Sequence, residues 1–138
     1  MRAIALAAVL LATTLAFADD AGHWPKGAEV YFISPHNGAT VKNPVTVRFG
    51  LKGLGVAPAG VKYENTGHHH LLIDTDLPSD LNQPLPVTDN IKHFGKGQTE
   101  TSLTLAPGKH TLQLVVGDEN HIPHSPPLVS KKITITVE

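Results

Sequence analysis

The chain has 138 residues, 41% apolar and 17% charged, with 12 acidic against 11 basic side chains and no cysteine. That length holds one core of ordinary size and excludes a second of equal size. The near-balance of charge excludes a nucleic-acid reader working through a basic face, and the missing thiols exclude disulfides and thiolate metal sites. Gly and Pro number 12 and 11, too many for a helical bundle and suited to short strands joined by turns. Nine histidines, nearly as many as all Lys and Arg together, are the unusual count.

Met1-Arg2, the apolar run from Ala3 to Ala12 and Ala16-Phe17-Ala18 before Asp19-Asp20 have the charged, apolar and cleavage parts of a secretory signal. The run is too short to span a membrane. We therefore expect a signal peptide over residues 1–18, a flexible segment over 19–27 and one domain over 28–138. The mature product is expected to be periplasmic or secreted, without a membrane span. Cleavage after Asp20 instead would make His23 the third residue, a Cu(II)-chelating terminus.

The strands follow in order. Glu29–Ile33 is β-branched and aromatic, and Val45–Phe49 alternates apolar with polar residues after Pro44. Residues 52–67 are rich in Gly and Pro and read as loop; His69–Asp74 reads as the third strand. Residues 75–98 lack periodicity, and a connection that long is functional or conceals a short element. Thr99–Leu105, His110–Val116 and Lys132–Val137 alternate again, with Ala106-Pro107-Gly108-Lys109 as a tight reversal. Six or seven such strands predict an all-β immunoglobulin-like antiparallel sandwich.

In that fold the third strand pairs with His110–Val116, so His68–His70 start beside the loop 117–127 that carries His121 and His124. His93 falls near the same end, His23 within reach of it, and His36 and His110 at the other. Residues i and i+2 of a strand share a face about 6.6–6.8 Å apart along the chain, so His68 and His70 can aim two imidazoles at one ion. His69 points inward with Leu71 and Ile73, to make a structural hydrogen bond or support the ligands. The predicted metal ligands are His68, His70, His93, His121 and His124. Imidazole donors without sulfur suit Cu(II) or Zn(II), Ni(II) being a further possibility by ligand type. The expected function is a carrier or buffer for copper or zinc. The alternative is a non-enzymatic envelope module whose loops bind a protein or glycan while the histidines are structural. A metalloenzyme using Asp118 or Glu119 as base is the third reading. No hydrolase motif is present and the histidine spacing differs from that of copper–zinc dismutases, so no enzyme activity is expected.

The strings Gly67-His-His-His-Leu-Leu-Ile-Asp74, His93-Phe-Gly-x-Gly-Gln-Thr-Glu100, Pro107-Gly-Lys-His-Thr-Leu-Gln-Leu114 and Asn120-His-Ile-Pro-His124 resemble a family of small exported bacterial proteins, domain of unknown function 4399. The resemblance covers about Val30 to Val137 and implies no particular activity. In architecture and composition the chain is also similar, more loosely, to periplasmic copper-carrier sandwiches, without the methionine-rich segment of some of them.

Overall fold

Where apolar and polar residues alternate, the chain pairs into strands with one buried face. The computed structural model describes residues 22–138; the predicted signal peptide lies outside them. The strands are β1 (Glu29–Ser34), β2 (Thr40–Val41), β3 (Val45–Lys52), β4 (Gly55–Val56), β5 (Thr66–Ile73), β6 (Ile91–His93), β7 (Glu100–Leu103), β8 (Gly108–Gly117) and β9 (Ile133–Val137). There is no helix among the described residues. One sheet has the order β1-β3-β7; the other has the order β2-β9-β8-β5-β4, with β6 also on β5. The β2–β9 and β4–β5 pairs are parallel and the rest antiparallel. This is the predicted sandwich, and its strand order matches the immunoglobulin-like arrangement.

Between the sheets, Val45, Val47 and Phe49 of β3 pack with Leu71 and Ile73 of β5, Leu112, Leu114 and Val116 of β8, and Ile133 and Ile135 of β9. Each aliphatic chain buried this way contributes about 1.5–3 kcal/mol relative to exposure, and this core fixes which face of β5 points outward.

Strand β5 departs from alternation: Gly67 to Ile73 are all buried. Its outer face has a cover of its own. The long 75–98 stretch conceals β6 and carries Leu85 and Ile91 onto Leu72 and Val115 to form a second, small core. A strand buried on both faces reads as a continuous apolar run, which here begins with three histidines. The strand also starts earlier than predicted, because β4 pairs with Thr66 and Gly67. A Cβ at Gly67 would lie 2.6 Å from Val116 Cγ1 and 2.8 Å from the Gly117 carbonyl oxygen, so only glycine permits this close pairing.

Within the segment expected to be flexible, Trp24 is anchored. The Trp24 indole packs against the main core and its Nε1 donates to the Pro123 carbonyl at 2.7 Å.

Candidate metal centre

The outer face of the larger sheet builds the site. His68 and His70 leave β5 on that side while His69 enters the core. Antiparallel pairing sets His93 of β6 opposite His70, and Gly117, the last residue of β8, opposite His68. A Cβ at Gly117 would fall 2.5 Å from His70 Cε1; the missing side chain is the space the His70 ring uses.

Beyond Gly117 the chain folds back. Asp118 Oδ1 accepts from the backbone N–H groups of Asn120 at 2.8 Å and Ile122 at 3.0 Å. The His121 N–H donates to the Asp118 carbonyl at 3.0 Å, and the His121 carbonyl accepts from Leu85 at 2.9 Å. These bonds hold His121 at a φ of 63°, a left-handed conformation that a side-chain-bearing residue adopts at a cost and that concentrates at functional sites. His121 Nδ1 then lies 2.9 Å from His68 Nε2, 3.2 Å from His70 Nε2 and 3.1 Å from His93 Nδ1.

A ring nitrogen carries either one proton or one lone pair. Three imidazole nitrogens around His121 Nδ1 therefore cannot all be well-formed hydrogen bonds. His68, His70 and His121 each bring one ring nitrogen within 4.8 Å of the other two, a spacing that suits a shared cation; His93 meets His121 but lies outside that mutually close set. Nitrogens bound about 2.0–2.1 Å from an ion lie about 3.3 Å apart in a tetrahedron and about 2.9 Å apart at adjacent corners of a square. His93 Nε2 also meets the Pro86 carbonyl at 3.2 Å. Donating its proton there leaves the Nδ1 lone pair facing the other rings, as a carbonyl behind a metal-bound histidine does.

The electrostatics favour the form that binds metal. Burial, with the nearby His68, His93 and His121, pushes His70 down to about 2. Burial, His121 and His93 push His68 down to about 4. His121 is lowered by burial and by His93, against an opposing pull from Asp118. Desolvation and like-charge neighbours both disfavour the imidazolium, so these three rings are neutral at pH 7, as ligation requires.

One expectation is corrected, and one predicted ligand stands apart from the other four. His69 makes no structural hydrogen bond: it is 1% exposed and neither ring nitrogen has a partner. Its inward side meets an apolar core, with the Phe49 ring 5.1 Å away, and burial pushes it down to about 4. His124 does not join the four rings. Its Nε2 bonds Asp118 Oδ2 at 2.6 Å and its ring stacks on that of His23 at 3.7 Å, because Asp118 captures it while Trp24 holds the neighbouring Pro123 carbonyl. His110 is engaged elsewhere, with Nδ1 2.6 Å from Asp74 Oδ2 and Nε2 2.7 Å from the Ala106 carbonyl; His36 follows β1, apart from the converging rings. Spacing gave no sign of the Pro86 carbonyl. The Asp118-x-Asn120 spacing is a turn signal that could have marked the loop as ordered, though not which side chains it gathers.

The family described as Domain of unknown function (DUF4399) matches residues 47–138, and the chain belongs to it. The matched span contains His68, His70, His93, His121 and His124 and begins after His23 and Trp24. No curated protein and no solved structure matches the chain. Among the described residues no helix is long and apolar enough to cross a membrane.

Proposed function

We propose that the protein binds a divalent transition-metal ion, Cu(II) or Zn(II), through His68, His70, His93 and His121, and serves as a non-enzymatic carrier or buffer in the periplasm or outside the cell. The observation that carries this reading is the meeting of three imidazole nitrogens at 2.9–3.2 Å around His121 Nδ1. Imidazole nitrogen donors without sulfur suit these two ions. With His93 drawn in beside His68, His70 and His121, four protein ligands would complete a tetrahedral shell, whereas catalytic sites keep a position open; this supports holding an ion over working on a substrate. Structural histidines in an interaction module would each be satisfied by a backbone carbonyl; His93 meets that of Pro86 and His70 interacts with that of Val115, whereas the partners of His68 and His121 are other imidazoles. The predicted leader over residues 1–18 supports export, and likeness to copper-carrier sandwiches adds only architecture and composition.

The test is calorimetric titration of tag-free protein with Cu(II) and Zn(II), with melting as the check on folding. Replacing His68 and His70 together by Ala abolishes tight binding; replacing His36 or His110 leaves it intact. Equal losses at all four positions would reduce the binding to adsorption on scattered imidazoles.

A further inference from the structure

The loop that places His121 also assembles a second donor group outside the four-ring site. His23, Asp118 and His124 bring one ligand atom each within 4.8 Å of one another. Each donor is prepared differently. The Asp118 side chain is 7% exposed, and its Oδ1 is occupied by the Asn120 and Ile122 N–H groups. Its Oδ2 is left to a single partner, His124 Nε2, at 2.6 Å. His124 sits at a φ of 63°, and the Trp24 indole holds the carbonyl of the residue before it. His23 is exposed and stacked flat on His124, 3.7 Å away and 7° from parallel, so it is the donor free to move. The cluster opens on a cleft of ≈ 530 Å³ that Tyr63 and Glu119 also line.

We propose that His23, Asp118 and His124 form a second metal site, for a borderline divalent cation such as Zn(II) or Cu(II). The ion takes the place of the proton between His124 Nε2 and Asp118 Oδ2; the displaced proton moves to Nδ1, so the ring binds as a neutral imidazole through its Nε2 lone pair, and the N···O pair opens to about 3 Å, the spacing of two adjacent ligands. His23 unstacks to give the third donor, and water from the cleft completes the shell. With one carboxylate, two imidazoles and an open side, this site is weaker and faster to exchange than the four-nitrogen one. It uses none of the side chains of that site, so either can fail while the other stands.

The experiment is equilibrium dialysis and calorimetry of the tag-free protein with Zn(II), on three forms. The wild type takes up two ions, one tight and one weak. His23→Gln with His124→Gln keeps the tight ion and loses the weak one. His68→Ala with His70→Ala keeps only the weak one. Asp118 is left intact because its carboxylate also holds the loop. Nitrogen NMR of the imidazole rings supplies the second readout: filling the weak site shifts both ring nitrogens of His124. Weak uptake that survives loss of His23 and His124, or saturation of the wild type at one ion with His124 unshifted, would overturn the proposal.

Discussion

Replacing His69 by Leu makes the protein more stable. Both ring nitrogens of His69 are buried without a partner, and each unsatisfied polar group costs about 1–3 kcal/mol. Leucine has similar volume, and a volume-conserving exchange costs up to about 1.5 kcal/mol in repacking, so the net gain at pH 7.5 is about 0.5–6 kcal/mol. Acid widens the gap. In the folded chain burial holds His69 down at about 4, while an unfolded histidine titrates near about 6.5. Below that value the unfolded state takes up a proton that the native state refuses, so the wild type loses stability as pH falls from about 6.5 towards about 4. At pH 5.5 the loss from this one side chain is about 1.4 kcal/mol, and the variant is spared it. At about 4 °C per kcal/mol for a domain of this size, the variant melts roughly 2–24 °C higher at pH 7.5, and the difference grows by about 5 °C at pH 5.5. The assay is calorimetric melting of both proteins in chelator at the two pH values. A variant that melts lower at both, or a difference that does not grow in acid, would refute the reasoning.

Gly117→Ala drives a methyl group to 2.5 Å from His70 Cε1 and should weaken metal binding at least tenfold by calorimetry while the strand content seen by circular dichroism persists. Asp118→Ala removes the acceptor of two backbone N–H groups and should lower affinity at the four-histidine site although Asp118 gives it no ligand; unchanged affinity would show that His121 is held by other means. Leu114→Ala, at a position with no exposure, should cost about 2–5 kcal/mol in urea unfolding. Asp74→Asn tests the opposite pH sign. Hydrogen bonds donated by His110 to the Asp74 carboxylate and the Ala106 carbonyl raise His110, so the pair stabilises the wild type below the unfolded value and loses that effect as pH rises through the folded one. The wild type should therefore exceed the variant by more at pH 6 than at pH 8.5, by under about 1 kcal/mol for so exposed a pair.

Much of the fold was legible because period-two alternation survives wherever a strand has one dry face, as in β3 and β9. Strand β5 hides its periodicity because Leu85 and Ile91 cover its outer side, a contact made from a loop with no periodic signal. Strands β4 and β6 are too short, at two and three residues, to display a period at all. In the site, the shared face of His68 and His70 follows from pleating alone, and the pairing of β5 with β8 brings the 117–124 loop beside them. What spacing could not reveal was the division of labour within that loop. His121 and His124 look equivalent as His-x-x-His, and the Asp118 carboxylate separates them by binding one and positioning the other through backbone N–H groups. His69 was legible as inward-facing; that no polar group awaits it there depends on the packing of Phe49.

The most direct test of the four-imidazole centre is X-ray absorption at the zinc edge of the protein loaded with one equivalent of Zn(II). The account predicts four nitrogen ligands at about 2.0–2.1 Å with the outer-shell scattering of imidazole rings, and loss of that pattern when His68 and His70 are replaced together. A first shell dominated by oxygen, or an unchanged spectrum in the double variant, would contradict it.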